Sequence, residues 1–332
     1  MADPTLLTFT VMKNEGPFIL EWVAWQRLMG VDHILVLTND CDDGTDRILD
    51  ELDRMGIVTH LPNPLVISPL DSAMRRQPHM AGIAYAKRLR IWRDADYVLL
   101  ADVDEFPCLR GGDPSLKSLL NRLGWPDVLT MPETVFSTGG VVEFRDRPVT
   151  QQFTHSSSMT PGKWRSRRGF KSISRVDPRL VIRNHRPIAK AQVAPSLNWV
   201  DGSGNRFPDD LRHVHQKGSD ARGMFDLVTV NHYALRSLES FLVKHARGDA
   251  VVAGRIDHTY FRRRNRHKGP NTEMLANGTR LEEEIATLKT NQRLADLHAA
   301  TVEAHVAKIR KLRDQPIFQE LRELAGVARA DV

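Results

Sequence analysis

Two aspartates separated by one valine are the residues of this chain best suited to hold a divalent cation. Asp102 and Asp104 directly follow residues 97–101, an apolar run that predicts a buried strand. Side chains of an extended segment alternate between its two sides, so both carboxylates are expected to project together. Converging carboxylates repel each other unless a cation or a donor lies between them, and Mg²⁺ or Mn²⁺ with substrate phosphates suits this layout. The simpler alternative is a solvated acidic loop.

The elements that would position this pair alternate between strand and helix patterns. Strands are predicted at residues 6–12, 33–38, 57–61 and 97–101, and helices at residues 17–29, 46–55 and 80–92. This alternation indicates an α/β fold with a mostly parallel sheet and helices on both faces. Ligands of such sheets bind beyond the carboxyl ends of the strands, where the acidic loops at residues 39–46 and 102–105 are both expected.

The composition is that of an ordinary soluble globular protein. Of 332 residues, 41% are apolar and 27% are charged, and no run approaches the ~18 consecutive apolar residues of a spanning helix. The first apolar run is too short for a signal peptide. Cys41 and Cys108 make neither a disulfide framework nor a thiolate zinc site, so we expect reduced thiols and a cytoplasmic protein.

Further motifs accompany the aspartate pair in a fixed order. They are KNE at residues 13–15, NDCDDGT at 39–45, DVDEF at 102–106, FSTGG at 136–140, FKSI at 170–173, NH at 184–185, NHY at 231–233 and RS at 236–237. Together they resemble the family 2-like and family 92-like glycosyltransferases, over about residues 5–250. The resemblance implies a GT-A (Rossmann-like) fold and a metal-dependent, hexosyltransferase-type enzyme. Such an enzyme moves a sugar from a nucleoside-diphosphate sugar to an acceptor hydroxyl, with inversion.

The resemblance also assigns the nucleotide-sugar site. In such enzymes the first two loops hold the nucleobase and ribose, which points to Lys13, Glu15, Asn39 and Asp40. Several acids crowd residues 39–43, so the sequence leaves open which of them contacts the base.

Metal and sugar roles follow from the same resemblance. Asp102 is expected to face the ribose and sugar, and Asp104, together with Asp102, to bind Mn²⁺ or Mg²⁺. A late histidine often completes the coordination, and His232 is the first choice here, with His185 second. Neutral imidazole is a good ligand for Mn²⁺.

An inverting reaction also needs a general base that takes the proton of the acceptor hydroxyl. Relatives use a carboxylate that follows the acceptor strands. Asp201, Asp226 and Asp249 are all eligible by position, and the sequence does not choose among them.

The resemblance divides the chain into parts with different expected partners. Residues 1–250 would form the glycosyltransferase domain, with a nucleotide-sugar half at about 1–110 and an acceptor half at about 111–250. Residues 251–332 would hold a basic segment and a helical C-terminal extension. The expected partners are the nucleotide-sugar donor and a saccharide or glycolipid-type acceptor.

The positive charge of the chain, +6 in total, predicts anionic partners. It concentrates in Arg255, Arg262, Arg263, Arg264, Arg266 and Lys268. No zinc finger or aromatic RNP motif accompanies these residues, so nucleic acid is not an expected partner. The segment could be a lid over the donor, a patch for an anionic acceptor or the inner face of a membrane, or a solvated loop. We favour the lid, because arginine pairs in a planar way with oxyanions.

Two other classes of protein fit parts of the pattern. A haloacid-dehalogenase-type phosphatase also has two spaced aspartates after a strand, but it normally has Thr or Val where this chain has Glu105. A non-catalytic carbohydrate- or nucleotide-sugar-binding protein with a degenerate GT-A site would keep the loops and lack a base.

Overall fold

The computed structural model describes residues 3–64, 78–157, 167–214, 218–248, 256–266 and 269–326. Its strands are β1 (Leu6–Met12), β2 (His33–Thr38), β3 (Thr59–Pro62), β4 (Tyr97–Leu100), β5 (Glu105–Leu109), β6 (Val128–Val135), β7 (His155–Ser156), β8 (Arg167–Arg175), β9 (Leu180–Val181), β10 (Ile188–Ala189), β11 (Trp199–Asp201), β12 (Gly218–Asp220), β13 (Val228–His232) and β14 (Gly269–Pro270). Its helices are α1 (Ile19–Leu28), α2 (Thr45–Arg54), α3 (Pro78–Ala86), α4 (Arg90–Arg93), α5 (Leu116–Arg122), α6 (Val149–Gln152), α7 (Leu238–Arg247), α8 (His258–Arg264), α9 (Gly278–Lys289), α10 (Gln292–Arg313) and α11 (Pro316–Leu324).

Ten of these strands form one sheet. Their order is β3-β2-β1-β4-β8-β6-β13-β5, with β11 beside β6 and β12 beside β8. Eight of the ten run in one direction, and β8 and β5 run against them. The mostly parallel sheet that the sequence predicts is therefore confirmed.

Helices cover both faces of this sheet because its first strands carry apolar side chains on both sides. Leu7, Phe9 and Val11 of β1 share a core with residues of α3 and α4. Leu6 and Met12 of the same strand share another core with residues of α1 and α2. A strand that is buried on both faces needs a nearly continuous apolar run, which is the pattern LLTFTVM of β1.

The helix predicted at residues 80–92 is in fact two helices. α3 ends at Ala86 and α4 begins at Arg90, and Leu89 between them is extended, with φ −76° and ψ 148°. The prediction of one helix was wrong because the apolar spacing continues across the break. Ile83 and Trp92, on either side of it, belong to the same core.

The predicted C-terminal helical extension is confirmed, and it packs on the loops of the first strands. α9 contacts α1, while α10 contacts α2, α7 and the 3₁₀ helix Gly16–Phe18. The approach is closest at Gly16, where a Cβ atom would lie 2.5 Å from the Cβ of Thr301. A larger residue at position 16 would therefore push α10 away from the first loop. Among the helices of the described ranges, none has the length and apolar character that crossing a membrane requires.

Candidate active site

The aspartate pair lies in a tight turn between β4 and β5, at the carboxyl end of β4. The N–H of Glu105 donates to the carbonyl of Asp102 at 2.9 Å, and the Glu105 carboxylate accepts the N–H of Asp102, also at 2.9 Å. The side chain of Asp102 remains 31% exposed, whereas that of Asp104 is only 8% exposed. The two carboxylates therefore meet different surroundings.

Asp102 is held by a buried lysine that arrives from β8. The ammonium group of Lys171 donates to Asp102 Oδ2 at 3.2 Å and to the amide oxygen of Asn184 at 3.2 Å, and it lies 2.8 Å from Glu105 Oε2. Nδ1 of His79 lies 3.9 Å from the other Asp102 oxygen. Burial opposes the ionisation of Asp102, but Lys171, His79 and His185 together outweigh it and lower the pKa of this carboxyl to about 2. Asp102 is thus an anion that Lys171 holds by one oxygen, while its side chain stays partly exposed.

Glu105 contacts both Lys171 and Asp102 and is the third member of this network. Burial raises the pKa of Glu105 to about 7, although Lys171 acts in the opposite direction. Burial lowers the pKa of Lys171, but the carboxylates of Asp102 and Glu105 raise it more. The ammonium group of Lys171 therefore stays charged in a nearly inaccessible position. Lys171 therefore holds the carboxylate of Asp102, and Glu105 holds its backbone N–H.

Asp104 is enclosed by cationic groups from α7 and β13. Lys244 donates to Asp104 Oδ2 at 2.7 Å and to the carbonyl of Ala234 at 3.0 Å. Nε2 of His232 lies 3.5 Å from Asp104 Oδ1. Burial opposes ionisation of Asp104, but Lys244 and His232 hold the pKa of the carboxyl well below its usual range. Asp104 is therefore an anion at neutral pH.

His232 lies at the end of β13 and uses both ring nitrogens. β13 runs between β5 and β6, which places His232 opposite Glu105 on one side and Val135 on the other. Its Nδ1 is hydrogen-bonded to Glu133 of β6. Burial lowers the pKa of the imidazole, but Asp104 and Glu133 outweigh burial and raise it well above its usual value.

These residues offer a divalent cation two overlapping sets of ligands. Within the described ranges, Glu105, Glu133 and His232 each bring one ligand atom within 4.8 Å of the others. All three groups are already engaged, since Glu105 meets Lys171 and Glu133 meets Nδ1 of His232. The second set is Asp104 Oδ1 and His232 Nε2. Atoms 3.5 Å apart can both touch one cation whose bonds to its ligands are about 2.1 Å long.

The loops after β1 and β2 bring three of the predicted nucleotide-binding residues together. Lys13 Nζ lies 3.7 Å from Asp40 Oδ2, and the side-chain amide of Asn39 donates to the same oxygen at 3.1 Å. The side chain of Asp40 is 57% exposed and that of Lys13 is 33% exposed. Asp40 has φ +48°, in the left-handed region, which turns the loop sharply. Lys13 and Asp40 are therefore open to a ligand, whereas Asn39 is buried, and the role of all three in nucleotide binding stays a prediction.

Glu15 is placed differently from the other three. Its carboxylate is buried and accepts from Arg236 at 2.8 Å and from Arg247 at 2.6 Å. Burial opposes its ionisation, but the two arginines lower the pKa of Glu15. Arg247 also donates to the carbonyls of Lys13 and Asn14, which ties α7 to the first loop. The contact of Glu15 with the nucleotide stays a prediction. In the structure its carboxylate contacts Arg236 and Arg247.

The candidate general bases remain undecided. One carboxylate oxygen of Asp201 accepts from the N–H groups of Ser203 and Asn205, at 2.8 and 3.0 Å, and these bonds stabilise the turn that follows Asp201. Asp226 lies close enough for its charge to raise the pKa of Asp201 further after burial has raised it. Asp249 lies outside the described residues.

The described part of the basic segment borders the site. Arg255 and Lys268 lie outside the described residues. The guanidinium group of Arg264 lies 3.7 Å from the centre of the Tyr260 ring, and its charge helps to lower the pKa of Glu133. The next residue, Asn265, accepts from the N–H and the hydroxyl of Thr138, at 3.1 and 3.0 Å. The carboxyl end of α8 is thus fastened to the FSTGG loop.

The sequence analysis assigns no role in the site to three of its residues: Glu133, Lys171 and Lys244. Each comes from a different part of the chain than the aspartate pair. The available signal is a charged residue within an apolar strand, as in VLTMPETV of β6 and FKSI of β8. A charge in a buried strand needs a partner, and that need points to a site.

Comparisons with known proteins agree with the resemblance seen in the sequence. The model of glycosyltransferase family 92 matches residues 11–193, which is more than half of the chain. The chain therefore belongs to glycosyltransferase family 92. The matched residues contain the loops after β1 and β2, the aspartate pair and Lys171, while His232 and Lys244 lie beyond them.

Two solved structures resemble this chain distantly. A crystal structure of S. aureus TarS is 13% identical with a TM-score of 0.30, and the match covers 63% of this chain and 31% of that one. The chain thus spans about a third of the length of that protein. A structure of TarS residues 1–349 is 11% identical with a TM-score of 0.30, over 97% of this chain and 88% of that one. No curated protein matches the chain. Likenesses this distant carry no functional argument.

Proposed function

We propose that this family 92 member is a metal-dependent GT-A glycosyltransferase of the inverting, hexosyltransferase type. It would transfer a sugar from a nucleoside-diphosphate sugar to a hydroxyl of a saccharide or glycolipid-type acceptor. The observation that carries the proposal is the meeting of Asp104 and His232 at the ends of β4 and β13, with Asp102 in the same turn. This edge of the sheet is where ligands bind in open α/β folds.

The residues present fit a divalent cation such as Mn²⁺ or Mg²⁺. Asp104 Oδ1 and His232 Nε2 would hold it, with the partly exposed Asp102 as a further ligand or as the partner of the sugar. Because Asp104 and Glu133 outweigh burial and raise the pKa of His232, binding of the cation would displace the proton from Nε2. The carboxylates are kept ionised by lysines, which is the protonation state that metal binding requires. When bound, the cation would neutralise the negative charge that the leaving nucleoside diphosphate gains as the glycosidic bond breaks.

The protein's own residues supply the remaining functions of a donor site. Lys13 and Asp40 form an exposed polar rim suited to a nucleoside, and the buried Asn39 donates to Asp40 from beneath it. Lys244, beside Asp104, adds a fixed positive charge near the expected diphosphate. Lys171 fixes the orientation of Asp102 toward the sugar. Pre-arranged charges of this kind need no reorganisation during the reaction.

The test is the release of free nucleoside diphosphate from a panel of nucleotide sugars, with and without Mn²⁺. The proposal expects release from at least one donor, loss of release with a chelator, and recovery with Mn²⁺ or Mg²⁺. A non-catalytic binding protein would release nothing, although ligands would raise its unfolding temperature. A phosphatase would instead release inorganic phosphate from simple esters. Either of these results would overturn the proposal.

A further inference from the structure

Glu133 of β6 reaches its partner, His232, on the neighbouring strand β13. β6 and β13 run parallel with Val230 opposite Glu133 and His232 opposite Val135. Glu133 therefore starts two residues earlier along the sheet, and its side chain extends toward the carboxyl end to meet His232 Nδ1. The side chain is 20% exposed, so this contact is largely screened from water.

The second carboxylate oxygen of Glu133 is fixed by packing on β8. A Cβ atom at Gly169 would lie 2.5 Å from Glu133 Oε2 and 3.3 Å from its carboxyl carbon. The backbone of Gly169 is not in the left-handed region, so its own conformation does not require glycine. What requires glycine there is the space taken by the Glu133 carboxylate. One oxygen of Glu133 thus faces the imidazole and the other rests on a strand that is shaped to receive it.

We propose that Glu133 is a positioning residue that holds His232 ready to bind the cation, an inference that rests on the proposed function. By accepting the N–H of Nδ1, Glu133 makes Nε2 the nitrogen that faces Asp104. Histidines that bind metals usually donate their other N–H to a carboxylate or a carbonyl, and loss of that partner typically weakens metal binding by about 10- to 100-fold. Glu133 acts through His232 and does not itself bind the cation.

The test is a titration of the full chain with Mn²⁺ alone, in which the signal of free Mn²⁺ in electron paramagnetic resonance reports binding. Glu133→Gln should weaken Mn²⁺ binding by about 10- to 100-fold. Gly169→Ala keeps every charge but takes the space of Oε2, and it should weaken binding in the same direction. Glu143→Gln, a change at a 65% exposed carboxylate, serves as the matched control and should change nothing.

A double-mutant cycle separates positioning from a merely electrostatic or direct role. If Glu133 works through His232, adding Glu133→Gln to His232→Ala should weaken Mn²⁺ binding no further than His232→Ala alone. A full further loss in that background would show that Glu133 binds the cation or acts by its charge, and it would overturn the inference. Unchanged Mn²⁺ affinity of a folded Glu133→Gln protein would overturn it as well.

These results are distinguishable from failure of the proposed function. If the wild-type chain binds Mn²⁺ and loses it with Asp104→Asn but not with Glu133→Gln, the inference fails and the metal site stands. If the wild-type chain releases nucleoside diphosphate but binds no Mn²⁺, the metal site and the inference fall together while sugar transfer stands. If no nucleotide sugar is turned over at all, the proposed activity fails, whatever the Mn²⁺ titration shows.

Discussion

The two sides of the aspartate turn differ in how their charges are paired. On the side of the loops after β1 and β2, Lys13 and Asp40 are 3.7 Å apart and both are substantially exposed. On the floor of the site, Lys171 and Lys244 contact their carboxylates at 2.7 to 3.2 Å, with side chains that are 2% and 15% exposed. Exposed pairs contribute about 0–1 kcal/mol, whereas breaking a buried pair costs about 3–5 kcal/mol.

This difference means that the exposed pair Lys13 and Asp40 can adapt to a ligand, whereas the buried contacts of Lys171 and Lys244 are in place before a ligand binds. An exposed, weak pair can exchange its partner for a nucleoside at little cost. A buried network keeps its geometry before and after the donor binds, which is what the stabilisation of a developing charge requires. We therefore expect donor binding to move the loops after β1 and β2 and to leave Asp104 and His232 in place.

The largest effect is expected for Asp104→Asn, because it removes a charged ligand from the floor. Turnover, measured as nucleoside diphosphate release, should fall on the order of 10²-fold or more. The free energy of unfolding should fall by about 2 kcal/mol, since Lys244 loses its charged partner. Asp50→Asn, at a 72% exposed aspartate of α2, is the control and should leave both unchanged. Near-normal turnover of Asp104→Asn would show that the aspartate pair is not catalytic.

The comparison itself is tested by removing one lysine from each side. Lys171→Met leaves Asp102 and Glu105 without their buried cation and should lower the free energy of unfolding by about 3–5 kcal/mol. Lys13→Met should lower it by no more than about 1 kcal/mol. Urea unfolding of both variants measures the difference. Equal losses in the two variants would contradict the distinction between floor and rim.

A smaller effect is expected at the basic segment that borders the site. Changing Arg262, Arg263 and Arg264 to Gln should lower kcat by about tenfold and weaken donor binding if the segment closes over the donor. An acceptor or membrane patch would leave donor binding intact and make activity on the natural acceptor salt-sensitive, since exposed charges act over a Debye length of ~8 Å.

The control for that change is the pair Arg310→Gln and Lys311→Gln on the exposed side of α10. Steady-state kinetics at two salt concentrations measure all of these variants. No change in the triple variant relative to this control would mean that the segment is solvated surface.

Sequence reasoning located the residues that directly follow a strand. Asp102, Asp104, Asn39 and Asp40 all lie within a few residues of a strand end, so the strand pattern alone places them at one edge of the sheet. The central sheet and its flanking helices follow from the same local periodicity. The break at Leu89 was missed because apolar spacing does not register one extended residue.

The floor of the site could not be found in this way, because its partners are distant in sequence. Lys171 is 69 residues from Asp102, Lys244 is 140 residues from Asp104, and Glu133 is 99 residues from His232. No local pattern links such positions. The sheet order β4-β8-β6-β13 brings Lys171 and Glu133 to their partners, and α7 brings Lys244 to Asp104. His232 was expected from the family resemblance and not from its own surroundings in the sequence.

The most direct test of the account is to locate the cation itself. Crystals of the chain grown with Mn²⁺ and a nucleoside diphosphate should show an anomalous scattering peak between Asp104 Oδ1 and His232 Nε2, next to the diphosphate. Glu133 should still be bonded to His232 Nδ1, and Lys171 to Asp102. A peak bound by Glu105, Glu133 and His232, with Asp104 still held by Lys244, would contradict the proposed site.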